Sequence, residues 1–162
     1  YHFGALGFEM GVHYAEGALV PDDAAAAALP AGHDPLLDFV PDARPGAHLP
    51  HAWVGNHRDK LALMDLAPYH RFTLVTGVAG EAWESAAADV AAALGVDVET
   101  VVIGPGHQIT DLYYDWAKLR EVDESGALLI RPDKHIAWRS QTLPDDPAGA
   151  LKSALSTVLG RS

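Results

Sequence analysis

The densest group of potentially reactive side chains in the sequence lies between Arg131 and His135. These five residues include an arginine, an aspartate, a lysine and a histidine, which are types used in acid–base catalysis and anion binding. Pro132 and Asp133 are also favourable residues for the centre of a β-turn, where charged side chains are normally solvated. The apolar runs on both sides favour a polar turn between two strands, and contact of Arg131 or Arg139 with a partner surface is the alternative.

Three histidines, His48, His51 and His57, suggest a metal site at first inspection, because imidazole is a common zinc ligand. Pro50 keeps this segment extended, and no acidic residue lies close enough in sequence to orient the rings. The chain has 9 histidines among 162 residues, so close pairs arise by chance. We expect no metal site and a backbone hydrogen bond for His51 in a turn, with a metal-dependent enzyme as a minor alternative.

Other classes of chemistry are excluded or disfavoured by composition. The chain contains no cysteine, which excludes disulfides, thiolate metal sites and thiol nucleophiles and favours a cytoplasmic location. It has no Gly-x-Ser-x-Gly motif, and Gly104-Pro105-Gly106 lacks the third glycine of a phosphate-binding loop. The formal net charge of −11 argues against partners such as nucleic acid or an anionic membrane. No apolar run approaches the roughly 20 residues of a membrane-spanning helix.

The elements that would position these residues follow the order β-α-β-(α)-β-β-α from Arg71 onward. The apolar patterns predict strands at 72–76, 96–103, 127–130 and 136–139, and helices at 81–94, 111–119 and 145–159. The first two strands would be parallel through a right-handed crossover, and the last two would form a hairpin. This α/β order is that of a thioredoxin-like fold, but its redox position, 76–81, lacks cysteine. The helix at 111–119 would direct Tyr113, Trp116 and either Leu119 or Tyr114 inward.

The N-terminal third differs from the rest of the chain. Alternating apolar residues predict a strand at 8–19. Six prolines between 21 and 50 predict an extended arm that crosses a surface and is anchored by Leu36, Leu37, Phe39 and Val40. We therefore divide the chain into a strand and arm at 1–50 and a thioredoxin-like domain at 51–162. Because the chain starts at Tyr1 inside strand-like sequence, we interpret it as a fragment of a longer protein.

Three stretches resemble one known family, the class A FAD-dependent aromatic hydroxylases of the phenol hydroxylase and 2,4-dichlorophenol monooxygenase type. They are ARPGAHLPHAWV (43–54), LALMDLAPYHRFTLVTG (61–77) and GALLIRPDKHIAWRS (126–140). The family's R-P-G-x-R-x-P-H-x-W and R-P-D-G-H-V-A-W-R patterns match 44–53 and 131–139, except that His48 replaces an arginine and Lys134 a glycine. Lys134 is therefore expected in a type I turn or at positive φ.

The resemblance implies that the chain is the C-terminal thioredoxin-like domain of such a monooxygenase. The parent would use FAD, NAD(P)H and oxygen to hydroxylate a phenolic ring, whereas this chain would hold no cofactor and catalyse nothing alone. Its implied role is structural, with its own FAD and substrate domain and a second subunit of a homodimer as partners. The candidate partner-contact residues are Tyr14, Phe39, His51, Trp53, Trp138 and Arg139. The alternative is a free-standing, cysteine-free thioredoxin-like module that binds proteins.

Overall fold

The computed structural model of the chain describes residue 14, residues 17–22 and residues 42–161. Seven strands form one sheet in the order β2-β1-β5-β4-β3-β6-β7. The strands are β1 (Trp53–Asn56), β2 (Asp59–Ala62), β3 (Phe72–Gly77), β4 (Val98–Ile103), β5 (Ile109–Asp111), β6 (Ala127–Ile130) and β7 (Ile136–Ser140). The α-helices are α1 (Ala82–Leu94), α2 (Asp115–Leu119) and α3 (Pro147–Val158), and short 3-10 helices occupy Leu63–Leu66 and Val78–Gly80.

One side of the sheet has the predicted α/β arrangement. Strands β3 and β4 pair in parallel, and α1 connects them in the sequence. Strand β6 is antiparallel to β3, and β7 is antiparallel to β6. Gly95 ends α1 in the left-handed conformation, at φ 66°, where glycine carries no Cβ penalty. Asp146 caps the start of α3 by accepting the N–H of Gly149. The predicted elements occur in the predicted order, with the strand β5 added between β4 and α2, and these strands and two helices begin and end within two residues of their predicted bounds.

The other side of the sheet was not predicted. Strands β1 and β2 form a hairpin, β5 is antiparallel to β1, and β5 pairs with β4 only at Ile109 and Ile103. Asp111, expected to begin a helix, instead ends β5. Its carboxylate accepts the N–H groups of Trp116 and Ala117, so it supports the start of the shorter helix α2.

Residues 46–49 cover the outer edge of β7. Gly46 N donates to Ile136 O at 2.7 Å, and Ile136 N donates to Ala47 O at 2.9 Å. Leu49 N donates to Lys134 O at 2.8 Å, just before the strand begins. These bonds pair an edge that would otherwise invite association with another strand. Most of the predicted strand at 8–19 and most of the arm lie outside the described residues. Within that strand, 17–19 form a bend at Gly17, where φ is 112°.

Apolar side chains pack on both faces of the sheet, as the alternation of a strand requires. On one face Leu74 packs in a cluster with Trp83 of α1 and Leu155 of α3. On the opposite face Val75 belongs to a cluster that includes Trp116 of α2. Within the described ranges, the structure contains no helix long and apolar enough to cross a membrane.

Candidate functional site

The charged cluster from Arg131 to His135 is a turn, as predicted. Lys134 N donates to Arg131 O at 2.9 Å, and Arg131 N donates to His135 O at 2.8 Å. The Asp133 carboxylate pairs with the Arg131 guanidinium and accepts the N–H of His135 at 3.3 Å. Burial opposes ionisation of Asp133, but the hydrogen bonds and positive charges of these two neighbours outweigh burial and lower its pKa. The cluster therefore stabilises its own turn.

Lys134 occupies the turn position where the resemblance expects glycine. Its φ of 66° selects the second of the two expected conformations, and the pairing of β6 and β7 is irregular at Leu129 and Ile130. The Lys134 ammonium donates to Met64 O at 2.7 Å and lies 4.6 Å from the ring centroid of Tyr69. A charged hydrogen bond and a cation–π contact thus offset the strain of this backbone conformation.

The histidines near the arm contact aromatic rings. The His135 ring lies edge-on to Tyr14, with centroids 4.9 Å apart, and edge-on to His48 at 5.3 Å. The prediction for His51 was wrong: it does not lie in a turn, and its ring packs edge-on against Trp53, with centroids 4.8 Å apart. Across the part of the chain that the structure describes, no group of three or more potential metal ligands comes together.

The junction between β3 and α1 is the position that carries the cysteines in redox thioredoxins. Here Thr76 Oγ1 donates to Gly126 O at 2.6 Å, and a Cβ added at Gly80 would lie 1.8 Å from Thr76 Oγ1. Val78 N donates to the Glu124 carboxylate at 3.3 Å. The indole N–H of Trp83 donates to the carbonyl oxygen of Ser125 at 2.9 Å. Residues 124–126 therefore close over the junction.

Glu124 supplies a negative charge at this junction. The hydrogen bond from Arg120, at 2.8 Å, lowers its pKa despite partial burial, and the charge of Arg120 and the Val78 N–H act in the same direction. A dinucleotide site needs free N–H groups at a helix start for the pyrophosphate. Because a carboxylate already occupies this place, the junction does not fit FAD.

Arg139 of β7 joins the N-terminal segment to the sheet. Its side chain is 4% exposed and forms ion pairs with Asp22 and with Glu121, the latter at 2.8 Å. Nη1 also lies 3.4 Å from Ala43 O, and Glu121 accepts the N–H of Ala43 at 3.3 Å. The guanidinium is thus buried among partners from its own chain.

A surface cleft of about 390 Å³ lies beside β4, where β5 does not continue along its edge. Arg71 and Glu99 line the cleft and pair with each other, with Nε and Oε2 3.2 Å apart. Asp65, also in the lining, accepts the N–H of Ala62. These charged groups hold the surrounding loops and do not converge as a catalytic pair.

Five residues at the β2-β1-β5 end of the sheet form an exposed surface that we call the aromatic face. They are Trp53, Lys60, Leu112, Tyr113 and Tyr114. Lys60 Nζ lies 4.1 Å from the Trp53 ring centroid, 5.0 Å from the Tyr113 centroid and 3.4 Å from its hydroxyl. The exposed fractions are 37% for Trp53, 40% for Leu112, 54% for Tyr113 and 74% for Tyr114.

The predicted partner-contact residues fall in three different environments. Tyr14 is 45% exposed beside the turn at His135, whereas Trp53 and His51 lie at the aromatic face. Trp138 is half-buried and packs edge-on against Trp83, with centroids 5.8 Å apart, and Arg139 is buried. Phe39 lies outside the described residues.

Sequence reasoning missed most of the aromatic face. It placed Tyr113, and Tyr114 as the alternative to Leu119, on the inward side of a helix, but this helix begins only at Asp115. The available signal was the run of three large apolar residues, 112–114, directly after Asp111. A helix turns such a run partly inward, whereas the observed chain leaves β5 through Tyr114 at φ 56° and exposes all three side chains.

Comparison with known proteins identifies relatives along nearly the whole chain. The sequence model described as "Aromatic-ring hydroxylase, C-terminal" matches residues 42–162. Phenol 2-monooxygenase from Pseudomonas sp. (strain EST1001) is 46% identical over 156 residues, which cover 96% of this chain and 25% of that protein. 2,4-Dichlorophenol 6-monooxygenase from Delftia acidovorans is 40% identical over 159 residues, covering 98% of this chain and 27% of that protein.

Solved structures give the same result. The flavin-dependent monooxygenase PieE, in complex with FAD and substrate, matches with a TM-score of 0.91 and 43% identity. The match covers 98% of this chain and 27% of PieE. Aklavinone-11 hydroxylase with FAD and aklavinone matches with a TM-score of 0.82 and 32% identity, over 98% of this chain and 28% of that one. The chain therefore spans about a quarter of the length of these relatives.

Proposed function

This chain belongs to the family of C-terminal domains of aromatic-ring hydroxylases, and we propose that it is the structural C-terminal part of an FAD-dependent, NAD(P)H-using monooxygenase of phenolic rings. The names of its relatives support a phenolic substrate, since two of them are a phenol and a dichlorophenol monooxygenase. The bound FAD of PieE supports the cofactor of the parent. The sequence contains no cysteine and so can form no disulfide, which supports the cytoplasmic location that we include in this proposal.

One observation carries the structural role of the chain itself, namely the closed junction between β3 and α1. In a redox thioredoxin this junction holds the reactive group. Here the Glu124 carboxylate accepts a hydrogen bond from the N–H of Val78, and Gly80 packs against Thr76. Fold and function separate at this point, because the scaffold is present without its chemistry. The FAD, the reducing cofactor and the phenol would all bind in the rest of the parent protein, which supplies the catalytic step.

The structural role that we propose has two parts, packing on the parent's FAD and substrate domain and contributing to a homodimer. The contact residues proposed for it remain Tyr14, Phe39, His51, Trp53, Trp138 and Arg139. Exposure supports the direct involvement of Tyr14, His51 and Trp53. Arg139 would act by fixing the segment at Asp22 and Ala43 in place, because its own guanidinium is buried.

The proposal is tested by titrating FAD into two proteins, this chain and the full-length product of its gene. We expect FAD binding, and phenol-dependent oxidation of NADH or NADPH, only for the full-length protein. A full-length protein that binds no FAD would contradict the assignment to a flavin monooxygenase. Light scattering at several concentrations tests the dimer separately, and a strictly monomeric full-length protein would remove that part.

A further inference from the structure

The aromatic face is the continuation of a sheet face that is covered by helices elsewhere. Residues that are paired across neighbouring strands point to the same face. Leu74 of β3 pairs with Thr100 of β4, and Leu74 packs against α1 and α3, so both residues lie on the face that these helices cover. Ile103 and Ile109 point to the opposite face of the sheet. Because successive side chains of a strand alternate between faces, Thr110 of β5 points to the face that α1 and α3 cover.

From β5 the same face continues across the last two strands. Thr110 pairs with Gly55, and Gly55 pairs with Lys60, while Trp53 pairs with Ala62. In this region Trp53 and Leu112 are 37% and 40% exposed, so α1 and α3 do not cover them. At the β2-β1-β5 end, this sheet face therefore carries two large apolar side chains that face solvent.

Gly55 keeps this surface continuous. A Cβ at Gly55 would lie 2.8 Å from Leu112 Cδ2, so the leucine lies directly over the glycine backbone. The amide of Leu112 donates to the carbonyl oxygen of Trp53 at 3.4 Å, which holds the two side chains beside each other. Clustered exposed aromatic residues of this kind mark interaction surfaces rather than ordinary protein surface.

We propose that the aromatic face docks onto the part of the same polypeptide that precedes this chain, and the inference rests on the proposed function. The chain matches about a quarter of the length of its curated relatives and a family model for the C-terminal part, so such a preceding part is expected. A covalently attached partner is present at high local concentration. The occupant is an apolar surface with an acidic group opposite Lys60.

Charge argues against a second copy of the chain as the occupant. A two-fold symmetric contact centred on Lys60 would bring the Lys60 ammonium groups of two copies together. Such like-charge contacts are costly in an interface. The formal net charge of −11 on each copy adds a general repulsion.

The test places a photo-reactive benzoylphenylalanine at position 114 of the full-length protein and identifies the cross-linked peptide by mass spectrometry. The matched control carries the same group at position 69, because Tyr69 is 76% exposed and Tyr114 is 74% exposed. We expect position 114 to cross-link to a peptide that precedes Tyr1 in the same molecule, and several-fold more efficiently than position 69. Mixing isotopically light and heavy protein distinguishes cross-links within one molecule from those between copies.

Three results would overturn the inference. These are a cross-link between light and heavy copies, a cross-link to residues 23–41, and cross-linking at position 114 no more efficient than at position 69. The FAD content of the same protein preparation is read from its absorbance. A protein without FAD that still forms the expected cross-link would contradict the proposed function while supporting the docking.

Discussion

The ammonium group of Lys134 donates a hydrogen bond to the carbonyl oxygen of Met64, with Nζ and O 2.7 Å apart. Met64 lies in the 3-10 helix after β2, and β2 and β7 are the two edge strands of the sheet. This bond therefore links the β6–β7 turn to the segment that follows the strand at the opposite edge. The backbone of Lys134 is left-handed, which costs a residue with a Cβ about 1–2 kcal/mol. The lysine therefore combines local strain with a contact between distant segments.

Substitutions at this position separate the strain from the contact. Lys134→Ala keeps the strain and loses the ammonium, whereas Lys134→Gly loses the ammonium but relieves the strain. We expect both to lower the free energy of unfolding, with the glycine variant about 1 kcal/mol more stable than the alanine variant. Urea denaturation measures both, and Lys152→Ala on the exposed side of α3 is the control. Equal stabilities of the two variants would show that the turn is unstrained.

Arg139 is expected to be the most sensitive charged residue of the described chain. Arg139→Ala would leave the carboxylates of Glu121 and Asp22 without their partner. Removal of one member of a fully buried ion pair costs about 3–5 kcal/mol, and we expect a smaller loss here because the side chains of Asp22 and Glu121 are 25% and 39% exposed. Arg139→Lys should cost less, but it cannot reproduce contacts through both Nε and Nη1. Thermal unfolding and urea denaturation provide the measurement.

A combined variant identifies the cause of that loss. Arg139→Met with Asp22→Asn and Glu121→Gln removes all three charges together. We expect this triple variant to be more stable than Arg139→Ala, since no unpaired carboxylate remains. If the single and triple variants were equally unstable, lost packing of the long arginine side chain would explain the effect instead.

The parts of the fold that could be predicted are those set by local patterns. Helix α1 has an apolar stripe and ends at Gly95, and the hairpin around Pro132-Asp133 has turn residues between two apolar runs. Strands β1, β2 and β5 have three or four residues each and are held by pairing with distant segments, so periodicity gave no signal for them.

The candidate surface was predictable only in part, for a related reason. Trp53 was identified from a motif in its own segment. Lys60, Leu112 and Tyr113 join it through pairing across β1, β2 and β5, which no short window of sequence contains. Similarly, Glu121 and Asp22 reach Arg139 from residues 18 and 117 positions away. Spatial groups of this type follow from the sheet topology.

Gly80→Ala tests how tightly the β3–α1 junction is closed. The added Cβ would lie 1.8 Å from Thr76 Oγ1, which itself donates to Gly126 O. Overpacking of this kind typically costs about 1–3 kcal/mol. We expect urea denaturation to show this loss for Gly80→Ala in the unchanged chain. In a chain that already carries Thr76→Ala, Gly80→Ala should cost less, because the Oγ1 atom that it meets is gone. Strict additivity of the two substitutions would mean that the two side chains do not compete for space.

Glu124 should make the stability of the junction depend on pH. The hydrogen bond from Arg120 lowers the pKa of Glu124 in the folded chain, against the effect of burial. A carboxyl group with a lowered folded pKa stabilises the fold above its unfolded pKa, about 4.3 for glutamate. This contribution is lost as the pH falls through the lower, folded value. Because Glu124 is 50% exposed, solvent screening keeps the contribution at neutral pH below about 1 kcal/mol.

Glu124→Gln isolates this contribution. At pH 7 we expect the variant to unfold at lower urea concentration than the unchanged chain, because glutamine accepts the bonds from Arg120 and Val78 without a charge. The difference should shrink as the pH falls below about 4.3 and then vanish. Glu84→Gln on the exposed surface of α1 removes the same formal charge and controls for the net charge of −11. A constant difference at all pH values would show that Glu124 acts through shape rather than through its charge.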